Sequence, residues 1–267
     1  MRTLGVIGNI SRDLVSYVDG RRYTLLGGAA MHVALAASRA GLSAVPIAVV
    51  GGDLASALRD HRLANLDLAY VKVVPEASCT FHLSYGHEGQ LTSAECDFGA
   101  AARVTNHALS VLGRHDSYHV CCRQPLNVSL ILDQLTSGSL KFSADFYLAS
   151  AAALIPAAAS SLPYAHAVFV NAAEFNVLRL AVDPARLRAV VVTDGPRPVT
   201  LLRHGHVAAT SRPPGAAVAE VTGAGDTLAG TYLAAVERGL ADADALRAAV
   251  NAATEAVRTP GIAITGS

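Results

Sequence analysis

EVTGAGDTLAG at residues 220–230 is the most informative segment of the chain, because a glycine-rich turn there leads directly into a helix. Apolar residues then recur at helical spacing and a glycine supplies a C-terminal stop: Leu228, Tyr232, Leu233, Val236 and then Gly239. The first backbone N–H groups of a helix have no partner within it, so those of Gly223 to Asp226 point out of its N-terminus. Together with the helix dipole, they favour a bound anion.

Asp226 lies in the first turn of this predicted helix and has two interpretations. A carboxylate there is a common helix-start residue, and for an isolated Gly-x-Gly-Asp that interpretation is the better one. Beside an anion site, an ionised Asp can also accept the proton of an attacking hydroxyl, as phosphoryl transfer requires. The segment by itself leaves both open.

Short β-branched segments alternate with Ala- and Leu-rich stretches, a pattern typical of βαβ units around a mostly parallel sheet. The predicted strands are Leu4–Gly8, Ala44–Val50, Ser117–Cys121, Leu140–Phe146, Ala167–Val170 and Ala189–Thr193. The predicted helices cover 29–40, 53–62, 105–112, 127–136, 173–180 and 242–258, with a further Ala-rich helix at 149–159. Strands that are apolar without alternation, such as AVVVT, indicate helices on both faces of the sheet. Ligands of such folds lie beyond the carboxyl ends of the strands.

Two segments, about 11–26 and 69–98, interrupt this pattern. Asp19-Gly20 in the first lies between two strand-like runs and is typical of a tight hairpin turn. The second contains three strand-like pieces around the turn GHEGQ at 86–90. We expect both segments to form a small antiparallel sheet that stands off the main domain as a lid. The alternative is a set of edge strands that extend the main sheet.

Composition restricts the class of partner. The 267 residues suffice for one large domain, and 21 basic residues balance 21 acidic ones without a local basic cluster, so nucleic acid and anionic membrane surfaces are not expected. No apolar run reaches the roughly 18 residues of a membrane span, and no secretory signal is evident. We therefore expect a cytoplasmic protein that binds a small molecule. The spacing of the four cysteines fits neither a disulfide scaffold nor a zinc site. They are expected to be small core residues: Cys79, Cys96, Cys121 and Cys122.

The common nucleotide-binding motifs are absent from the sequence. No GxxxxGK[ST] occurs, Lys72 and Lys141 follow no glycine-rich turn, and protein-kinase motifs are missing. The segment Gly223-Ala224-Gly225 lacks the third glycine of a Rossmann fingerprint. If the chain binds ATP, it does so with another architecture.

Five segments occur in the order and approximate spacing of the ribokinase-like carbohydrate kinases, the PfkB family: GGAAMHVALAASRAG at 27–41, AVVGGD at 48–53, NAAEFNVL at 171–178, VVVTDG at 190–195 and EVTGAGDTLAG at 220–230. Nearly the whole chain thus resembles this family, and its start is similar to compact members such as nucleoside and inositol-type polyol kinases. The resemblance implies a single ribokinase-like kinase domain over residues 1–267. Its architecture would be three-layer α/β/α, with a mostly parallel central sheet and a small antiparallel β lid.

The resemblance also implies a reaction, the ATP-dependent transfer of a γ-phosphoryl group to a hydroxyl of a small sugar, nucleoside or polyol. Asp226 corresponds to the catalytic base. The turn formed by Gly223, Ala224, Gly225 and Asp226 corresponds to the anion hole for the transferred group. Backbone donors placed where charge develops commonly matter by about 10² to 10³ in rate.

Other residues correspond to the ligand-binding positions of the family. Those expected at the substrate floor and at the hinge beneath the lid are Asp13, Gly27, Gly28 and His32. Those expected near ATP are Asn171, Glu174, Thr193, Gly195, Thr222 and Asn251. Glu174 is expected to reach Mg²⁺ through water, although Asn171 and Glu174 by their own chemistry could equally form a helix capping box. Gly52 and Asp53 correspond to the next loop, where Asp53 could simply cap a helix.

The chain departs from the family pattern at two positions. His32 replaces the usual Asn, so the site could read a different hydroxyl pattern, or His32 is merely tolerated on a buried helix face. Glu220 stands where Asp is common, and its extra methylene weakens the case for activation by a monovalent cation. His115 and His119 have no evident carboxylate partner and are expected to be surface or core residues rather than metal ligands.

Two alternatives to a kinase remain. A catalytically degenerate regulatory protein that binds a sugar or nucleotide on the same fold is suggested by His32 and Glu220, although the intact Gly-Ala-Gly-Asp turn argues against it. A Rossmann dehydrogenase would bind a nicotinamide cofactor. The acceptor stays open, because spacing does not say which side chains point inward. A homodimer through the lid sheet is a further expectation.

Overall fold

The β-branched segments of the chain form strands, and the Ala- and Leu-rich segments form helices. A computed structural model describes residues 2–87, 91–215, 222–258 and 261–264. Its strands are β1 (Thr3–Ile7), β2 (Ser11–Tyr17), β3 (Arg22–Gly27), β4 (Ser43–Gly51), β5 (Val71–Val74), β6 (Cys79–Tyr85), β7 (Leu91–Asp97), β8 (Ser117–Cys122), β9 (Phe142–Phe146), β10 (Val168–Asn171), β11 (Val190–Thr193), β12 (Val199–Arg203), β13 (His206–Ser211) and β14 (Ile262–Ala263). Its helices are α1 (Ala29–Arg39), α2 (Val104–Leu109), α3 (Val128–Ser137), α4 (Leu148–Ala158), α5 (Ala172–Ala181), α6 (Ala224–Glu237) and α7 (Asp242–Ala256).

A large, mostly parallel sheet forms the centre of the molecule. Its strand order is β13-β12-β11-β10-β9-β8-β1-β4-β5, and only the β12 and β13 pairings among them are antiparallel. All six predicted strands are confirmed, as β1, β4 and β8 to β11. The carboxyl ends of these parallel strands therefore meet at one edge of the sheet, where a ligand is expected.

Helices cover both faces of this sheet, as the strand pattern predicts. Consecutive strand residues alternate between two apolar clusters: Val6 and Phe169 belong to one, and Ile7 and Val170 to the other. The first cluster is closed by α1, α6 and α7, and the second by α2 to α5. The three-layer α/β/α architecture is thus confirmed. Within the described residues, no helix is both long and apolar enough to span a bilayer.

A second, smaller sheet has the strand order β14-β3-β2-β6-β7. Its pairings are antiparallel except for the parallel pair β2 and β6. The predicted hairpin turn at Asp19-Gly20 is present, with Gly20 at a φ of 88° and the Tyr17 N–H bonded to the Arg21 carbonyl at 2.9 Å. The predicted turn at 86–90 lies partly outside the described residues.

Two local predictions are wrong. The piece at 71–74 does not join the small sheet but pairs with β4 at the edge of the large one, so both interpretations of segment 69–98 hold for different parts of it. The helix predicted at 53–62 is instead three short 3₁₀ segments, Gly52–Leu54, Ala57–Arg59 and His61–Leu63. Asp60 explains the interruption, because its extended backbone and its side chain, which accepts the Arg62 N–H at 2.8 Å, start a new turn.

Candidate active site

Helix α6 begins beside the edge of the large sheet where the carboxyl ends of its parallel strands meet. Gly223 precedes it in the left-handed conformation, with a φ of 79°, and no side chain caps the first turn. The first intrahelical bond joins the Thr227 N–H to the Gly223 carbonyl at 2.8 Å. The N–H groups of Ala224, Gly225 and Asp226 therefore lie at the positive end of the helix without an intrahelical acceptor, as the sequence predicts.

The Asp226 carboxylate is buried, with 6% of the residue exposed, and it is ion-paired. Its Oδ1 accepts a hydrogen bond from Arg123 Nη2 at 2.6 Å. The same nitrogen donates to Asp145 Oδ2 at 2.6 Å, so one guanidinium bridges two carboxylates. Arg123 directly follows β8, Asp145 lies in β9, and the Arg123 side chain is 24% exposed.

The electrostatics of this cluster favour the charged forms of Arg123 and Asp145. Burial by itself would lower the pKa of Arg123, but Asp226 and Asp145 outweigh it and hold that pKa well above its ordinary value. Burial would raise the pKa of Asp145, but Arg123 and His119 outweigh it and lower that pKa. Arg123 is therefore a fixed positive charge that bridges Asp145 and Asp226.

Two of the four predicted substrate residues, Asp13 and His32, line a cavity of about 540 Å³ next to this turn, whereas Gly27 and Gly28 are not in its lining. Asp13 is 5% exposed and its Oδ1 accepts the Ser11 hydroxyl at 2.6 Å. A Cβ at Gly27 would lie 1.9 Å from Asp13 Oδ2, so only glycine leaves room for this carboxylate. Gly28, also predicted, is the N-cap of α1 with a φ of 98°.

The cavity joins Asp13 to the turn at the start of α6. Its polar and charged lining residues are Asp13, Arg39, Arg62, Thr222, Thr227, Thr231, Glu255 and His32. A Cβ at Gly223 would lie 3.0 Å from the His32 ring, which places that ring against the turn. Burial lowers the pKa of His32 despite the attraction of Asp226, so the imidazole is neutral near pH 7. The Asp226 carboxylate lies beside this cavity, toward Arg123, rather than in its lining.

Asn171 and Glu174 form the capping box that their spacing allows. Asn171 Oδ1 accepts the Glu174 N–H at 2.9 Å, and Glu174 Oε2 accepts the Asn171 N–H at 2.8 Å. Burial, with a contribution from the Asp145 charge, raises the pKa of Glu174 to about 7. Thr193 pairs in register with Asn171 on the neighbouring strand. The Asp145 charge raises the pKa of the Glu174 carboxyl and the Arg123 charge lowers it, so Glu174 lies within electrostatic reach of the cluster around Asp226. Glu174 can therefore cap the helix and also face a ligand bound near that cluster.

The other predicted positions lie at different distances from this cluster. Thr222 lines the cavity, and its hydroxyl hydrogen-bonds to the Tyr85 hydroxyl on the small sheet. Gly195 is exposed after β11, with a φ of 55°. Asn251 is exposed on α7. Glu220 lies outside the described residues.

Asp53 is more than a helix-start residue. It accepts hydrogen bonds from Arg12 Nη2 at 2.8 Å and from the Ser78 N–H at 3.0 Å. Arg12 belongs to β2, and Ser78 immediately precedes β6. Asp53 therefore ties the large sheet to two strands of the small one.

The sequence interpretation missed Arg123 and Asp145. His119 is fully buried, in agreement with the expected core position, and its Nε2 lies 3.4 Å from Asp145 Oδ1 without a hydrogen bond between them. A signal existed, because Asp145 interrupts the apolar strand FSADF and Arg123 directly follows the apolar VCC. Charged residues at buried strand positions are rare unless they are paired.

The four cysteines are free, as expected. Cys121 and Cys122 are buried in β8, and Cys79 is buried in β6, whereas Cys96 is half-buried. The sulfur atoms of Cys79 and Cys96 lie 3.6 Å apart on neighbouring strands of the small sheet.

Comparison with known proteins gives a family and a set of similar structures. The pattern described as "pfkB family carbohydrate kinase" matches residues 1–265. A cytidine kinase of Thermococcus kodakarensis is 32% identical over 104 residues. That match covers 39% of this chain and 37% of the relative, so it spans well under half of the relative's length.

Solved structures of low sequence identity share the fold over almost the whole chain. The Burkholderia thailandensis nucleoside kinase in complex with inosine superposes with a TM-score of 0.83 at 21% identity, covering 97% of this chain and 92% of that one. A putative ribokinase II from E. coli in complex with ATP and Mg²⁺ superposes with a TM-score of 0.80 at 18% identity, covering 98% and 94%. The ribokinase-like architecture predicted from the motifs is therefore confirmed.

Proposed function

The chain belongs to the pfkB family of carbohydrate kinases, and we propose that it transfers the γ-phosphoryl group of ATP to a hydroxyl of a small acceptor. One observation carries this proposal. The buried Asp226 carboxylate and the uncapped N–H groups of α6 belong to the same helical turn, which borders the cavity that contains Asp13. A proton acceptor and an anion-binding terminus thus lie where a hydroxyl could meet a phosphoryl group.

Asp226 acts as the general base in this proposal. Arg123 occupies its Oδ1 and leaves Oδ2 for the acceptor hydroxyl. The hydroxyl proton passes to Asp226 as the acceptor oxygen bonds to the γ-phosphorus, and the bond from that phosphorus to the ADP oxygen breaks. The N–H groups of Ala224, Gly225 and Asp226 stabilise the negative charge on the transferred group.

The residues near the strand ends fit a nucleotide accompanied by magnesium. Mg²⁺ prefers oxygen ligands and keeps several of its waters. Oxygen atoms suited to such an ion or its waters are present here, in the side chains of Asn171, Glu174 and Thr193. Glu174 would hold the ion through such a water, with Thr193, Gly195, Thr222 and Asn251 on the nucleotide. Bound Mg²⁺ supplies neutralisation of phosphate charge. Its charge would also favour the ionised form of Glu174, whose pKa is otherwise raised to about 7 by burial.

The face of the small sheet that carries Asp13 favours a nucleoside as the acceptor. Asp13 is flanked in register by Leu25 on β3 and Phe81 on β6, and directly paired residues share a face. Further along that face, Tyr17 and Tyr85 stack with their ring centroids 5.4 Å apart. Free sugars and polyols carry hydroxyls on every side and would leave some unpaired against this apolar surface. A nucleoside combines ribose hydroxyls for Asp13 with a flat base.

Replacement of Asp226 tests the reaction. Asp226→Asn keeps the shape of the side chain but removes the base, so ADP formation in the presence of a nucleoside should fall by about 10² to 10⁴. Asp242→Asn, which removes the carboxylate that pairs with Arg203 far from the site, is the matched control. Wild-type rates in Asp226→Asn would refute the mechanism. Tight nucleoside binding by wild-type protein without any ADP release would instead support a regulatory binding protein.

A panel of acceptors tests the substrate class. We expect kcat/KM to be higher for cytidine, inosine and adenosine as a group than for ribose, fructose and inositol. Phe81→Ala should lower kcat/KM for nucleosides more than for free sugars, because it removes apolar surface next to Asp13. A free sugar or polyol as the best acceptor would contradict the nucleoside proposal while leaving the kinase proposal intact.

The outer strand of the small sheet remains the proposed dimer surface. Thr92 to Glu95 on β7 are exposed at the sheet edge, where unpaired backbone groups can pair with a second copy. Sedimentation of the full chain with and without nucleoside would measure this association.

A further inference from the structure

Asp145 is a buried carboxylate that the proposed reaction does not use. It lies in β9, is 6% exposed, and contacts Arg123 rather than the cavity. We propose that Asp145 is a positioning residue that aims the Arg123 guanidinium at the Asp226 carboxylate. This inference rests on the proposed function of Asp226 and extends it to a second layer of residues.

The contacts form a chain from the core to the reacting group. His119 Nδ1 lies 2.9 Å from Ser143 Oγ, and His119 Nε2 lies 3.4 Å from Asp145 Oδ1. Asp145 Oδ2 accepts from Arg123 Nη2, which also donates to Asp226 Oδ1, each at 2.6 Å. Because a single nitrogen serves both carboxylates, the place of Asp145 determines where Arg123 meets Asp226.

The His119 end of this chain is rigid. The ring is fully buried and packs edge-on against Phe169, with centroids 5.8 Å apart. Asp145 is itself part of a strand paired on both sides, with β8 and β10. Arg123, by contrast, follows the end of β8 and keeps 24% of its side chain exposed. The flexible member of the cluster is thus the one that Asp145 restrains.

Stability gives a poor explanation for a carboxylate at this position. Ionic groups in a protein interior lose hydration, and replacing a buried ion pair with well-packed apolar residues is often neutral or stabilising. Both neighbours of Asp145 in β9, Ala144 and Phe146, are buried apolar residues. The contact with Arg123, which also meets Asp226, gives this carboxylate a function that the strand by itself does not require.

A metal site is the competing interpretation of the same residues. Ligand atoms of His119, Cys121 and Asp145 lie within 4.8 Å of one another. Arg123, however, donates to Asp145 at 2.6 Å, and its positive charge opposes a cation there. Burial also raises the pKa of the Cys121 thiol, which disfavours the thiolate that a metal would need. The geometry therefore favours an orienting network.

Asp145→Asn tests the proposal, because it keeps the side-chain shape and removes the charge that holds Arg123. We expect kcat to fall by about 10- to 100-fold, by analogy with partners that orient metal ligands, while KM for nucleoside and ATP changes less than about twofold. Asp242→Asn removes an equivalent partner from Arg203, 3.0 Å away, and should leave kcat unchanged. Unchanged kcat in Asp145→Asn would overturn the proposal, as would equal changes in both variants.

A double-mutant cycle separates positioning from general damage. If Asp145 acts through Arg123, Asp145→Asn should change kcat little in an Arg123→Met background. Equal effects in both backgrounds would overturn the proposal. If Asp145→Asn does not fold, Asp145→Glu serves instead, because it keeps the charge but moves it by one methylene relative to Arg123. It should lower kcat in the same direction, and an unchanged kcat would again overturn the inference.

A spectroscopic readout distinguishes failure of this inference from failure of the proposed function. The arginine Nε–H signals of Arg123 and Arg203 can be assigned with the two Arg→Lys variants and followed by NMR without turnover. Asp145→Asn should shift or broaden the Arg123 signal only, and Asp242→Asn the Arg203 signal only. An unaffected Arg123 signal in Asp145→Asn overturns the positioning proposal. A changed signal in a protein that phosphorylates no acceptor supports the positioning geometry and refutes the kinase proposal instead.

Discussion

The Asp13 carboxylate lies directly against Gly27, in space that any larger residue at position 27 would need for its side chain. A Cβ at Gly27 would lie 1.9 Å from Asp13 Oδ2 and 2.5 Å from Cγ, so the Gly27→Ala variant must move that carboxylate. Because Asp13 is proposed to bind acceptor hydroxyls, we expect the acceptor KM to rise by about tenfold or more, equivalent to one lost charged hydrogen bond. The KM for ATP should change little. Steady-state kinetics with each substrate varied in turn measures both constants.

Gly52→Ala is the control for this change. No atom lies within 4 Å of a Cβ built at Gly52, which is also in the loop next to Asp53. An acceptor KM that rises equally in both variants, or in neither, would contradict the proposed contact between Asp13 and the acceptor.

Residues in one continuous motif were predictable, and residues that meet across the fold were not. The turn from Gly223 to Asp226 reveals itself locally, because glycine spacing and the following helical periodicity lie within a few residues. Arg123 meets Asp226 across 103 sequence positions and Asp145 across 22. No spacing rule relates such positions, and the pairing depends on the order β9-β8-β1 in the sheet. His32 was expected at the site only because it lies in a motif that resembles the family, and in the structure it lines the cavity.

The small sheet and helix α6 are joined by the hydrogen bond between Tyr85 and Thr222. Tyr85 is 2% exposed and stacks on Tyr17, so its ring would keep its place after removal of the hydroxyl. In Tyr85→Phe we expect unfolding free energy to fall by about 1 to 3 kcal/mol, because the Thr222 hydroxyl loses a partner. We also expect kcat/KM for the acceptor to fall severalfold, since the sheet that carries Asp13 loses a link to the turn.

Tyr23→Phe controls for the loss of a tyrosine hydroxyl on the same sheet. Tyr23 lies on β3 and is 41% exposed. Denaturant unfolding would measure the stability of both variants, and steady-state kinetics would measure their kcat/KM for the acceptor. Equal stability and equal kcat/KM in Tyr85→Phe and wild type would show that the link does not couple the two elements.

Helices and strands were predictable from the sequence where a single pattern, such as a continuous apolar run, covered the whole element. The parallel strands are continuous apolar runs, and their predicted bounds agree with the structure to within about two residues. The 53–62 segment has helical spacing, yet local hydrogen bonding by Asp60 divides it into 3₁₀ turns. The strand β5 is short and lies next to a lid segment in sequence, so only its pairing with β4 shows which sheet it joins.

At the scale of the whole molecule, polar and charged residues meet at one edge of the large sheet. Arg123, Asp145, Asn171 and Thr193 come from the carboxyl ends of four adjacent strands, and the N-terminus of α6 meets them there. Parallel pairing brings these ends together, whereas the small sheet supplies Asp13 from outside. Glu174, in the first turn of α5 at this edge, is a buried carboxyl whose charged form burial disfavours.

Glu174 makes global stability depend on pH in an unusual direction. Burial raises the pKa of this carboxyl from 4.5 to about 7, so the folded state binds its proton more tightly than the unfolded state. The contribution of Glu174 to stability is therefore greatest below pH 4.5 and is lost as pH rises through 7. Glu174→Gln resembles the protonated form and preserves a capping-box acceptor. Relative to wild type, it should be more stable at pH 8 by up to about 3 kcal/mol, with a smaller difference at pH 5. Urea unfolding at both pH values measures this, with Glu255→Gln as the same change at an exposed carboxyl. A Glu174→Gln variant less stable than wild type at pH 8 would show that burial does not dominate at this carboxyl.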